Sequence, residues 1–442
     1  MITCRKTFIF TILTCFISSV SALCAETNII KFDKDGSFSI QTSSILKVKG
    51  SLFLWYDDCK YATPSSVIFT EPDSWSGNMP KPGTTSGHIS YTQTVKFSPD
   101  DSTYISLEFH KNGDVHLTRG IFMLIELPMQ EMSGYTIAFT HGPPYVASDS
   151  YQATAKGFSI NLNESKALEF TVDRACIFEH RGKEGESLMN IRLSPDADAK
   201  VNIKFSIKPV IDTTVIWQSE THKVKLAIND VILSMNQVPR YSMLELTVDL
   251  SSTYQNFFDP DDVEIDALFT SPLGDKITVP GFIYQDFRSE IDGDIELLTY
   301  DGKPMWKVRF APTEIGTYSI TVIAKDHSGK IKSKEIKFNC VTSDLKGFAK
   351  ITKPLAKDPP LYCQFDNGDT LLLTDHNITT YYPEIEECFK KMKSSGENYI
   401  RIWMYSLALG LEWGQPVGYY RLDEAWKLDK VLKLASQYGI YV

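Results

Sequence analysis

The stretch Trp306-Lys-Val-Arg-Phe-Ala-Pro-Thr-Glu-Ile-Gly-Thr-Tyr-Ser-Ile-Thr-Val-Ile-Ala-Lys-Asp-His-Ser-Gly329 decides how the middle of this chain is read. Apolar and polar residues alternate on both sides of a Pro/Gly corner, which is the period of strands that bury one face only. One strand ends before Pro312 and the next opens with Tyr318. On that second strand Tyr318, Ile320, Val322 and Ala324 share one face, and Asp326 to Gly329 closes a hairpin. Strands that each bury one face need a second layer, so the pattern predicts an antiparallel sandwich.

A tyrosine just after such a corner resembles the tyrosine corner of Ig-like sandwiches, where the ring packs under the turn and its hydroxyl satisfies backbone groups. Residues 211–345 are assigned to an Ig-like β-sandwich on that basis. Within it, Asp259-Pro-Asp-Asp262 reads as a solvated loop, with a calcium loop as the alternative.

Upstream, residues 26–210 form a succession of short alternating runs broken by Gly, Pro, Asn and Asp. Phe38-Ser39-Ile40, Leu46-Lys47-Val48 and Val201 to Ile207 are examples, and they predict an N-terminal β-sandwich. Leu107 to Leu117 reads as a hairpin around Asn112-Gly113, a pair suited to a type I′ turn. The aromatics Trp55, Tyr56, Trp75, Tyr91, Tyr145 and Tyr151 are expected in the core, with a sugar-stacking platform as the alternative. Carbohydrate binding by this domain stays open.

Downstream, the pattern changes after a Lys/Pro-rich linker at 346–360. A hairpin around Asn367-Gly368 leads into Leu371 to Thr374, and a helix starts near Pro383. Ile385, Cys388, Phe389 and Met392 fall at i, i+3, i+4 and i+7, which makes one apolar stripe and places Cys388 in a core. Gly396 ends that helix, and Tyr399-Ile-Arg-Ile-Trp-Met404 follows as a strand. A second helix begins near Asp423 with its stripe through Ala425, Leu428, Leu432 and Ala435, and Ile440-Tyr-Val442 opens another strand. Helix and strand in alternation mean βα units on a parallel sheet.

Parity then selects residues. Ile400, Ile402 and Met404 point one way and must meet the helices, so Arg401 and Trp403 point the other way, toward the interior at the carboxyl end of the strand. A guanidinium placed there calls for an anionic partner, since an unpaired buried charge is costly. That partner is either a catalytic carboxylate or an internal Asp or Glu that only ties strands together.

Residues from about 213 onward resemble the Ig-like domain of unknown function 5060 followed by a family 5-like barrel of the clan A glycoside hydrolases. The residues that carry the likeness are Gln364-Phe-Asp-Asn-Gly-Asp-Thr-Leu-Leu-Leu-Thr-Asp-His-Asn377, Met392-Lys-Ser-Ser-Gly-Glu-Asn-Tyr-Ile-Arg-Ile-Trp-Met404, Gly410-Leu-Glu-Trp-Gly414 and Tyr420 to Val442. The resemblance implies a multidomain, mainly β chain: an N-terminal β-sandwich, an Ig-like β-sandwich, and in 361–442 the first βα units of a (β/α)8 barrel. It also implies that Arg401 holds a nucleophilic carboxylate ionised and that Asn377 stands at the rim after strand one, although Asp375 replaces the glycine common two residues earlier. Trp403, Trp413 and Glu412 are placed by it near a sugar subsite.

The activity implied is hydrolysis of O-glycosidic bonds in poly- or oligosaccharides with retention of configuration, without cofactor or metal. Retention uses two glutamates about 5 Å apart. They are expected after strands four and seven, and 361–442 is far shorter than the about 250 residues of a complete barrel. The chain is therefore expected to be an inactive front portion whose barrel segment is sticky and protease-labile. The competing reading is a non-catalytic carbohydrate-binding or adhesion protein.

Composition sets the remaining bounds. With 45 Lys+Arg against 55 Asp+Glu the net charge is -10, which disfavours nucleic acid and anionic lipid as partners. Arg5 and Lys6 precede the apolar run Thr7 to Val20, and small residues follow, so residues 1–25 read as an export signal. The mature protein is expected outside the cytoplasm, whether secreted, periplasmic or on the cell surface, with no membrane span after cleavage and with lipidation at Cys24 disfavoured by Leu23. Five cysteines remain, at spacings that match no zinc site. A pairing of Cys59 with Cys176 is the disulfide expected in an oxidising compartment.

Overall fold

The computed structural model describes residues 29–41, 47–56, 61–70, 73–82, 87–100, 102–127, 136–140, 145–146, 151–161, 166–183, 186–209, 224–351, 363–378, 380–405, 408–412 and 417–442. The expected export signal, Cys24, Cys59 and Trp413 lie outside these residues. The chain divides into two compact units, Met1–Asp212 and Thr213–Val442.

The first unit departs from a sandwich of two separate sheets. Its described strands form one antiparallel sheet of 15 strands. One arm carries Lys47–Tyr56, Leu117–Leu127 and Glu186–Ser194, and the other carries Ala199–Pro209, Thr103–Asn112, His88–Phe97 and Ser74–Pro80. The long strand Lys166–Lys183 joins them: Lys166 to Val172 pairs with Ala199–Pro209, whereas Ile177 to Lys183 pairs with Glu186–Ser194. A strand that passes from one layer to the next makes a corner, and both layers then face a single core. Phe170 and Phe178, from the two halves of that strand, meet at 90° within the core. Far from the corner the arms are held by the Tyr56 hydroxyl, which donates to the Met79 carbonyl.

Tyr56, Trp75 and Tyr91 are buried in this core as expected, whereas Trp55 is half-buried. The side chains of Tyr145 and Tyr151 lie outside the described part. The expected hairpin at Leu107 to Leu117 is absent: Thr103–Asn112 pairs with His88–Phe97 and Ala199–Pro209, while Leu117–Leu127 belongs to the other arm. Gly113 does turn with φ +81°, but Val115 is buried in the core and pulls the chain across between layers. Local turn chemistry lost to burial here.

In the second unit, a two-sheet β-sandwich occupies the stretch read as Ig-like. A four-stranded sheet of Ala227–Leu233, Leu244–Ser251, Ile295–Phe310 and Phe282–Asp292 faces a six-stranded sheet built on Gly316–Asp326 and Val263–Thr270. Tyr318, Ile320, Val322 and Ala324 are all buried between them. The Glu314 backbone N–H donates to the Tyr318 hydroxyl at 3.0 Å, which is the tyrosine-corner bond, and the ring stacks on Phe338 at 5.0 Å. Asp262 accepts the N–H groups of Gln255 (2.5 Å) and Asn256 (2.6 Å), so this acidic loop uses a carboxylate to tie down backbone.

Ala349–Ile351 pairs with Cys363–Phe365, so part of the expected linker is a strand. Then come the strands Asp375–Ile378 and Tyr399–Ile402, parallel to one another, and a parallel bridge from Tyr399 to Tyr441. The helices Ile385–Ser394 and Leu422–Tyr438 alternate with them. These are βα units, and a closed eight-stranded barrel is not present among the described residues. Ile378, Ile385, Phe389, Met392, Ile400, Val431, Ala435 and Ile440 form their core, with Cys388 packed at its edge.

The second helix is rotated from its expected stripe. Leu432 is 46% exposed, because the helix serves two cores: Leu422 and Trp426 pack on the Ig-like core, and Val431 and Ala435 pack on the βα core. A stripe drawn for one partner cannot anticipate two.

Candidate functional site

The parallel strands put Asn377 directly beside Arg401 in register. Asn377 thus lies inside its strand and not after it, which corrects the expectation; the strand is Asp375–Ile378 and not Leu371 to Thr374. Ile378 and Ile400 are buried against the helices, and Asn377, Arg401 and Trp403 are exposed, Trp403 at 48%. Parity holds for Ile400 and Ile402, whereas the strand ends at Ile402 and Met404, expected against the helices, is 52% exposed. The five N–H donors of Arg401, the Asn377 amide and the Trp403 indole share one open end of the strands, a set able to hydrogen-bond hydroxyls and stack on an apolar ring face. Arg401 has no carboxylate partner among the described residues, so neither of its two expected roles is seen in place.

The connection after Tyr399–Ile402 is anchored by charges that sequence reading did not single out. Arg421 donates to Asp423 through Nε (3.2 Å) and Nη2 (2.6 Å), and all three of Arg421, Asp423 and Glu424 are buried. Glu424 accepts the Leu409 N–H at 2.6 Å and pairs with Lys427 at 2.9 Å. Burial pushes the Asp423 carboxyl up, but the Arg421 charge outweighs it and the group stays below the usual carboxylate range. The visible signal was Asp423-Glu424 in the first helical turn, where acidic residues favour the positive end of the helix dipole. These bonds fix the loop that presents Glu412, which is exposed.

Behind the strands the βα segment is locked to the Ig-like sheet. Glu296, whose side chain is 3% exposed, accepts from Ser289 (2.6 Å), Lys430 (2.7 Å) and Tyr381 (2.7 Å). Trp426 Nε1 donates to Asp286 at 2.9 Å. The open strand ends thus sit on a rigid base.

Residues 237–325 match the model of the family described as Domain of unknown function (DUF5060). Among solved structures, the chain is similar to a Bacteroides vulgatus ATCC 8482 protein that carries an unproven glycoside-hydrolase assignment, at 15% identity and a TM-score of 0.35. That similarity covers 47% of this chain and 40% of the other, so the chain spans well under half of that protein. Latent dimeric PorU of Porphyromonas gingivalis matches at 10% identity and TM-score 0.18, over 72% of this chain and 33% of its own. The N-terminal domain of the Streptococcus gordonii adhesin Sgo0707 matches at 6% and 0.14, over 72% and 94%. No curated protein matches. Among the described residues no helix is long and apolar enough to cross a membrane.

Proposed function

We propose that this chain belongs to an exported glycoside hydrolase acting on O-glycosidic bonds of poly- or oligosaccharides with retention of configuration. The observation that carries the reading is the pairing of Asn377 with Arg401 on the strand face turned away from the helices, with Trp403 exposed beyond them. Parallel βα units present their chemistry at the carboxyl ends of the strands, which is where these groups stand. The resemblance of residues 364–442 to clan A barrels and the family match over 237–325 support it. Retention on this reading requires two catalytic carboxylates. Arg401 would orient one of them, and Trp403, Trp413 and Glu412 would line a sugar subsite.

Affinity electrophoresis through gels containing neutral glucans, mannans, xylans or arabinans tests the sugar-binding face. Retardation by at least one polymer, weakened by Trp403→Ala and by Arg401→Ala with circular dichroism unchanged, is the expected result. Retardation indifferent to both variants would instead favour a non-catalytic binding protein, and no retardation by any polymer would remove the sugar face altogether.

A further inference from the structure

The Ig-like sandwich is open along one edge. Lys276–Pro280 pairs with Asp266 to Thr270 and then leaves for the other sheet, with the Gly281 N–H donating to the Ile265 carbonyl at 2.6 Å. The crossing is so close that a Cβ on Gly281 would lie 2.9 Å from Ile265 Cγ2. Val263 to Ile265 therefore have no strand partner on that side among the described residues, and a cavity of about 340 Å³ opens beside them.

Five aromatic residues surround it: Phe257, Phe258, Phe282, Trp306 and Tyr420. The first four belong to the Ig-like domain. Tyr420 comes from the connection that also carries Glu412, with its ring 5.2 Å from Phe258 and steeply inclined to it, and Asn256 Nδ2 reaches the Gly418 carbonyl at 3.2 Å. Glu264 and Asp266 add two carboxylates to the lining. Burial and the neighbouring Glu264 charge push the Asp266 carboxyl up against the smaller pull of Lys330, which suits it to accept from a neutral hydroxyl, and Lys325 stands 3.9 Å from Glu264.

We propose that this cavity is a second binding site, taking a neutral saccharide whose ring faces lie on the aromatics and whose hydroxyls donate to Glu264 and Asp266. The volume falls in the ~300–1,000 Å³ range of ligand pockets, and an apolar lining with a few convergent acceptors is the usual build of such sites. A neutral polyol fits both the ring surfaces and acceptors that already have counter-charges nearby. The choice of a sugar rests on the glycoside-hydrolase reading; the cavity itself does not.

Saturation-transfer NMR on the full chain, with neutral disaccharides of glucose, mannose and xylose and with tetramethylammonium as probes, tests the site. Tyr420 is 42% exposed and Asp266 half-buried, so Tyr420→Ala and Asp266→Asn should keep the fold. The expected result is a disaccharide signal lowered in part by Tyr420→Ala, by Asp266→Asn and by Trp403→Ala taken singly, and removed when Trp403→Ala is combined with Tyr420→Ala. If Trp403→Ala leaves every sugar signal intact while Tyr420→Ala removes it, this site stands and the strand-face reading fails. A signal lost in Trp403→Ala but kept in Tyr420→Ala and Asp266→Asn overturns this site and leaves the strand face standing. Tetramethylammonium binding in place of sugar, or no sugar signal at all, also overturns it.

Discussion

Arg309 of the Ig-like sheet and Asp429 of the helix Leu422–Tyr438 meet through two parallel bonds, Nη1 to Oδ1 at 2.9 Å and Nη2 to Oδ2 at 2.6 Å. The same guanidinium donates through Nε to Glu245 at 2.9 Å, and Lys307 reaches the other Glu245 oxygen at 2.6 Å. Burial works against the Arg309 charge, but the two carboxylates outweigh it and push its pKa up. The second helix of the βα segment is thus bolted to the Ig-like domain by a planar fork that lysine cannot reproduce.

Replacing Arg309 with leucine strands two partly buried carboxylates. Because Arg309 is 27% exposed, the loss should be about 1–3 kcal/mol, below the cost of breaking a fully buried pair. Urea denaturation should show Arg309→Leu clearly weakened and Arg309→Lys in between. Equal stability of Arg309→Leu and the parent would mean that the fork contributes nothing.

Acid should loosen the same junction. Burial raises the Glu296 carboxyl, but the bonds from Lys430, Ser289 and Tyr381 outweigh it and hold it below the ordinary carboxylate value. A carboxylate depressed in the folded state gives stability that is present above its unfolded pKa of about 4.3 and lost as pH falls through the lower folded value. Glu245 behaves alike: burial raises it, and Lys307 and Arg309 bring it down. Amide exchange followed from neutral pH to below about 4 should show the helix Leu422–Tyr438 losing protection before the strand Gly316–Asp326. Glu296→Gln should blunt that order, and simultaneous loss in the parent would refute the assignment.

Arg401 separates binding from stability. It is exposed, so Arg401→Lys should change unfolding free energy by no more than about 0.5 kcal/mol. In a protein that includes a complete catalytic domain, the same change should lower turnover at least about tenfold, since lysine offers no planar fork to a carboxylate. Unchanged turnover would reduce Arg401 to a bystander.

What the sequence disclosed follows from which forces are local. The tyrosine corner at Tyr318, the buried face of its strand and the Ile385, Phe389, Met392 stripe were legible because period and burial agree there. The crossing at Gly113 was not, since Asn-Gly chemistry says hairpin and only the distant partners of Thr103–Asn112 say otherwise. The strand hand-over within Lys166–Lys183 falls at Asp173-Arg174-Ala175-Cys176, where alternation breaks for four residues and reads in sequence as an ordinary gap between two strands. At the candidate site parity selects Arg401, whereas Trp403 lies past the end of the strand Tyr399–Ile402, where parity no longer applies. The Glu296, Arg309 and Asp429 network joins residues more than 100 positions apart and looks, in sequence, like ordinary surface charge.

The fate of the βα segment under protease is the sharpest test of that network. Sequence reasoning expects residues after about 360 to be removed first, because three parallel strands leave an open edge and apolar surface uncovered. Leu372, Trp403 and Met404 are indeed exposed. Against this, Leu422 is part of the Ig-like core, Trp426 hydrogen-bonds Asp286, and Lys430 and Asp429 are tied to Glu296 and Arg309. Local opening of the helix must break several part-buried charge-assisted bonds at once, each worth roughly 1.5–3 kcal/mol. Limited proteolysis followed by mass spectrometry should therefore keep residues 363–442 and the Ig-like domain together in one resistant product. The double variant Arg309→Leu, Glu296→Gln should release the segment early and leave the Ig-like strands intact. If the parent protein loses 363–442 while the Ig-like domain persists, the docking through Arg309 and Glu296 does not hold the segment, and the open edge decides its fate.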